Sequence, residues 1–337
     1  MMQRLLGIAL VLAFVVGLGG CTKDDSTSPQ APASSKAIIV LNSLGTSLSV
    51  IDLERDTVYN NVVTVGKWPN HVLQKDGKIY VVNSGSNNIQ VFSAENYGSL
   101  ASIELGAGNN PMYLAIPNTQ KAYVTCSQSN CVKVIDLASK TVTKTIAAGV
   151  GTTGITIAAD KVYATNSAFN GANFTYGQGT VTVINTATDA VVTTINVPMN
   201  PQGASVDADG KVHIVCTGDY GTTTGKVVVI DPSNDGTLRT VDVGGSPGVI
   251  EISKANHTAY LGTFAGGVIT YDTQSFTVTN PASAPLLGKG GSGLVCDASG
   301  NVFVGDFAND QVIKMDQNNV TKKTYDVGDG PLSLAVK

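Results

Sequence analysis

The sequence predicts an all-β protein built as a seven-bladed propeller with four-stranded blades, and three observations carry that prediction. After about residue 36 the hydrophobic runs are short, rich in Val, Ile and Thr, and separated by Gly, Asn, Asp and Ser clusters. They show no sustained 3.6-residue period, which points to strands and leaves almost no place for helix. One unit repeats along the chain: Ile38-Ile39-Val40-Leu41-Asn42-Ser43, Ile79-Tyr80-Val81-Val82-Asn83-Ser84, Ala122-Tyr123-Val124-Thr125-Cys126-Ser127 and Val162-Tyr163-Ala164-Thr165-Asn166-Ser167, then more divergent copies at Val212–Thr217, Ala259–Phe264 and Val302–Phe307. The copies recur every ~40 to 50 residues, the length of a four-stranded blade, and seven copies give seven blades.

Before the repeats stand a leader, 1–20, and a tether, 21–35; the propeller domain spans 36–337. The apolar run Leu5 to Val16 follows a short segment whose basic side chain is Arg4 and ends on small residues. It is too short to span a bilayer comfortably and reads as a cleaved leader. Leu18-Gly19-Gly20-Cys21 resembles a bacterial lipobox, which implies that Cys21 becomes the lipidated first residue of an outer-membrane lipoprotein. Acyl chains contribute about 0.8 kcal/mol per buried methylene, enough with several chains to hold a domain at a membrane. Thr22 to Ser35 has no apolar periodicity and is expected to be disordered. Lys23-Asp24-Asp25 resembles the surface-export signal of Bacteroidota lipoproteins, or else merely solvates the tether, so periplasmic and surface-exposed locations both stay open.

Within the blades, prolines at 69, 111, 201, 247 and 331 precede inner strands. Asp76-Gly77 and Asp209-Gly210 mark tight turns, and Val50-Ile51-Asp52, Val134-Ile135-Asp136, Val183-Ile184-Asn185 and Val229-Ile230-Asp231 mark third strands. Together these elements resemble the YVTN-repeat propeller family over the whole domain, with the largest departures in blades six and seven (Thr270-Tyr271-Asp272 and Ile313-Lys314-Met315-Asp316). The first copy starts at a second strand, while the chain ends on an orphan Gly330-Pro331-Leu332-Ser333-Leu334-Ala335-Val336. That segment is expected to complete the first blade and remove two sheet edges.

Repetition separates scaffold from site, because residues present in most blades serve packing. Tyr80, Tyr123, Tyr163, Tyr260 and Phe303 share one register and are expected between blades; His213 falls in the same column and reads as a core histidine. Asp52, Asp136, Asp231, Asp272 and Asp316 end third strands and read as Asx-turn residues.

The net charge of −4 and the scarcity of arginine exclude nucleic acid as a partner. No Cys-x-x-Cys or Cys/His cluster supports a metal, and no cofactor is expected: His71, His213 and His257 are too few for a multi-histidine copper site, and Trp68 is alone where quinone-dependent propeller dehydrogenases carry recurrent tryptophans. Cys126 and Cys131 flank a four-residue hairpin loop, a spacing that allows a disulfide in an exported protein or two free thiols. Cys216 and Cys296 are expected to be unpaired.

What is not repeated is a pair of enlarged loops between second and third strands, Asn166 to Gly179 in blade four and Thr217 to Gly225 in blade five. They carry Phe169, Phe174, Tyr176 and Tyr220; Phe264 and Phe307 extend the series, and Trp68 sits in the loop before Pro69. Aromatics among Asn, Gly and Thr suit a recognition surface, against the alternative that the rings fold inward as a plug. The expected function is therefore a lipid-anchored, non-catalytic binding or scaffolding module for a small molecule, glycan or envelope protein. A lactonase-like hydrolase using His71 and Glu251, or a structural or adhesive surface protein, are the other readings.

Overall fold

A computed structural model describes residues 33–337, and every regular element among them is a β-strand. The leader and Cys21 lie outside the described residues. The strands form seven four-stranded antiparallel sheets and one small extra hairpin, the expected seven-bladed propeller.

Each blade runs outward from an inner strand, as in blade four: Thr152–Ala158, Lys161–Asn166, Gly179–Asn185 and Ala190–Val197. Second strands such as Ala37–Asn42 are buried on both faces, whereas outer strands such as Ala190–Val197 are exposed over most of their length. Ring closure follows the expected route, with Pro331–Val336 adding to Ala37–Asn42 in register Ile38↔Val336 and Val40↔Leu334 as the inner strand of blade one.

Tyr123, Tyr163, Tyr260 and Phe303 are fully buried between blades. The tyrosines also reach sideways. The Tyr123 hydroxyl donates to Asp189 in the next blade, where Lys121 ion-pairs at 2.8 Å; Tyr163 donates to Asp235 at 2.6 Å beside the Lys161–Asp235 pair at 2.8 Å. Across the closing seam Tyr325 donates to Asp56 at 2.9 Å. His213 is fully buried and holds Asp207 at 2.9 Å and the Tyr271 hydroxyl of the following blade, as a core histidine should.

The third-strand aspartates cap turns. Asp52 accepts from the Glu54 and Arg55 amides at 2.9 and 3.0 Å, and Asp316 from Asn318 at 2.9 Å. The Lys211 ammonium and the Ser233 amide bring Asp231 down to about 2.

Two unlike faces result. Loops between second and third strands share one face with the loops that enter the inner strands; this mouth is rich in Gly, Asn and Ser and carries few charges, among them Lys67, Asp219 and Lys289. The opposite face holds the short turns and most charges, including Glu54, Arg55, Asp56, Asp76, Glu95, Asp160, Asp209 and Lys254. Order extends into the last residues assigned to the tether, because Ser34 donates to Asp52 at 3.1 Å and Ser35 to Glu54 at 2.5 Å on this charged face. Lys337 ends there too, its amide bonded to the Ala37 carbonyl at 2.9 Å.

Candidate functional site

The enlarged loop of blade four folds into its own two-stranded hairpin, pairing Phe169 with Tyr176 and Asn170 with Thr175. The Asn170 side chain accepts from the Ala172 amide at 3.0 Å, and Asn173 from Thr175 at 2.7 Å. In blade five, Asp219 accepts from the Gly221 and Thr223 amides at 2.9 and 2.8 Å. Gly218 has φ +83°, and a Cβ there would lie 1.9 Å from the Thr223 carbonyl, so only glycine lets this loop close on itself. Both loops are thus set by their own hydrogen bonds.

Five rings join across three blades. Phe169 lies 6.2 Å from Phe174 and 5.1 Å from Tyr176, Tyr176 6.1 Å from Tyr220, and Tyr220 5.0 Å from Phe264. These separations and their tilted or edge-on angles are those of favourable aromatic pairs. Beneath them Asn200 is fully buried, donating to the Gly218 carbonyl at 3.0 Å and standing close to the Tyr176 and Tyr220 hydroxyls. Burial raises both phenols above the usual tyrosine range, so both remain neutral donors.

Phe174 is 64% and Tyr220 42% exposed, which does not suit the inward plug for these two rings. Each stands on a left-handed backbone, φ +55° and +61°, a conformation that bulky residues avoid and that functional surfaces often retain. Trp68 and Phe307 fall outside the run. The Trp68 ring covers Gly85 of its own blade, and Phe307 lies with Leu44 against Gly330 at the blade seven to blade one seam. Trp68 is also left-handed, φ +50°, where equivalent positions before an inner strand hold Asn110, Gly151, Asn200 and Gly330.

A second concavity lies on the propeller axis, a cavity of ≈ 270 Å³ lined by inner strands and including both His71 and Glu251. His71 Nδ1 accepts from the Leu114 amide at 3.3 Å and its ring sits 4.9 Å from that of Tyr113, so the neutral tautomer carries its proton on Nε2. Burial brings the imidazole down to about 4. Glu251 is pushed up to about 7 by burial, against the pull of the Cys296 amide and Lys254. Sequence reasoning missed Tyr113 and Ser333 on this wall; neither belongs to a repeated motif, and only the inner-strand register places them there. The Ser333 hydroxyl accepts from the Val72 amide at 3.2 Å, joining blades one and two.

Cys126 and Cys131 stand directly opposite each other in the strand register, and both are buried free thiols in this structure. Ser129 lies 3.1 Å from the Cys131 sulfur. Cys216 and Cys296 are free as well. Among the described residues no group of three or more His, Cys, Asp or Glu is placed to hold a metal ion.

No family model matches the chain, and no curated protein matches it. Solved structures do. A quinoprotein alcohol dehydrogenase-like protein from Bacteroides thetaiotaomicron aligns with TM-score 0.64 at 17% identity, over 89% of this chain and 78% of that one. A candidate 6-phosphogluconolactonase from Bacteroides uniformis aligns with TM-score 0.71 at 11% identity, over 90% and 99%. A protein of unknown function from Desulfotomaculum acetoxidans aligns with TM-score 0.69 at 14% identity, over 90% and 99%. At these identities the likeness is one of fold.

Proposed function

We propose that this propeller is a binding module of the bacterial cell envelope, of the YVTN-repeat type and lipidated at Cys21, that captures a small molecule, glycan or envelope protein on its mouth without transforming it. The single observation that carries the reading is the unbroken run Phe174–Phe169–Tyr176–Tyr220–Phe264 across blades four, five and six. Aromatic anchors supply large contact area at little conformational cost, and loops fixed in advance lose little entropy on binding.

Lactonase-like hydrolysis has less support. His71 commits Nδ1 to the backbone of the next blade, and Glu251 sits three blades away and two positions further along its inner strand. The dehydrogenase-like and lactonase-like neighbours share the fold alone. A glycan and small-molecule binding screen on the chain from Ala33 onward tests the proposal. A ligand that saturates the wild-type domain and loses affinity in Phe174→Ala and Tyr220→Ala supports it. Equal binding to all three proteins refutes the mouth as the site.

A further inference from the structure

The axial cavity is built unlike the mouth. Its wall brings together residues from the inner strands of all seven blades, among them Ile155, Val249, Leu294 and Leu334, and it contains one carboxylate, Glu251, with no lysine or arginine. At ~30 Å³ per water, ≈ 270 Å³ is room for about nine waters or one molecule of amino-sugar size.

Glu251 is half-buried on this wall, whose other polar side chains are His71, Gln74, Tyr113, Ser292 and Ser333, and a carboxylate drawn part-way out of water is costly unless something offsets its charge. Among the described residues none forms an ion pair with Glu251. The Cys296 amide reaches it, and Lys254, three residues along the chain, is outside the cavity lining. His71, held neutral, lines the same space beside Tyr113, whose aromatic ring is of the kind that attracts organic cations. An anion would meet a carboxylate with no fixed cation to oppose it. A divalent metal would find a single carboxylate on this wall, and among the described residues no group of three or more His, Cys, Asp or Glu is placed to hold one.

We propose that the axial cavity is a second binding site, separate from the aromatic mouth, for a small organic cation whose charge is matched by Glu251. The carboxyl, poised at about 7, then exchanges its proton for the ligand's positive charge.

The test is calorimetric titration of the full-length protein at about pH 8 with two charge-matched probe pairs, putrescine against butane-1,4-diol and glucosamine against glucose. One amine or both should bind with unit stoichiometry, and the neutral counterpart about tenfold or more weaker. Glu251→Gln should lose about tenfold or more, Glu251→Asp should retain part of the affinity, and Phe174→Ala should bind the amine as wild type does. The probe pairs on wild-type protein decide the matter even if a Glu251 variant fails to fold. Equal titration of amine and neutral probe, no binding of either amine at millimolar concentration, or wild-type binding by Glu251→Gln overturns the cavity site. Loss of amine binding in Phe174→Ala moves the ligand to the mouth and overturns it as well.

Discussion

Replacing Leu334 by alanine probes the seam that makes the ring a ring. Leu334 is 7% exposed and lies opposite Val40 in the closing register. It packs in a cluster with Ile38, Val40, Ile51, Phe303, Val312 and Tyr325, so it touches both blade seven and blade one. Buried Leu→Ala changes cost about 2–5 kcal/mol, and ~3 kcal/mol suits a side chain at the edge of its cluster. An unfolding entropy of ~2.1 cal/mol/K per residue over about 300 residues gives ~0.6 kcal/mol/K, so the melting temperature should fall by about 5 °C. Leu332, half-buried on the same strand, is the internal control and should cost less than about 1 kcal/mol as alanine. Scanning calorimetry measures both shifts. Hydrogen exchange adds the decisive comparison, because the Ser333 and Ala335 amides, which face Ala37–Asn42 in the ladder, should be as protected as those of that strand. A Leu334→Ala domain that melts with the wild type, or a terminal strand that exchanges like free chain, would falsify the closure argument.

Other expectations are as definite. Cys21→Ser should shift the protein from the membrane fraction to the soluble fraction, and membrane retention of that variant rules out lipid anchoring. Once a mouth ligand is in hand, Phe174→Ala and Tyr220→Ala should each weaken it by roughly thirtyfold, about 2 kcal/mol, with little change in melting temperature. Tyr163→Phe removes the hydroxyl bonded to Asp235 and should cost about 1–2 kcal/mol in urea unfolding, with no cost meaning that the blade lock is decorative. His71, at about 4 in the fold against about 6.5 unfolded, contributes stability that is lost as pH falls through that window. Glu251, at about 7 against about 4.5, contributes stability that is lost as pH rises through its own. The two slopes oppose each other between about pH 4.5 and 6.5, so wild-type stability should be nearly flat there. Glu251→Gln should instead lose stability on acidification by up to ~1.4 kcal/mol per pH unit; an unchanged profile would show that Glu251 is not protonated in the fold.

Much of the scaffold is legible in the sequence because it is written seven times. The tyrosine column, the Val-Ile-Asp strands and the orphan Pro331–Val336 segment each announce a place in a periodic object, and the structure puts them there. The partners of those tyrosines are less legible. Asp189 and Asp235 read locally as turn residues, yet their carboxylates serve the preceding blade, a contact some 65 to 75 residues away along the chain that no local pattern encodes. The aromatic loops are conspicuous by their length and composition, and five of the expected rings, Phe264 of blade six among them, do meet. Phe307 occupies a loop equivalent to theirs and Trp68 a loop on the same face, but a shared face places residues around a ring, not beside one another. The cavity was half visible: His71 and Glu251 stand out as titratable groups on inner strands, whereas Tyr113 needs the bulged start of its strand to face inward.

The positions of the two chain ends fix how the molecule can be handled. Ser34 and Lys337 both sit on the charged face, so any segment that precedes the first or follows the second departs from the side away from the aromatic rim. A sensor surface, fluorophore or fusion partner joined at either end therefore leaves the mouth unobstructed.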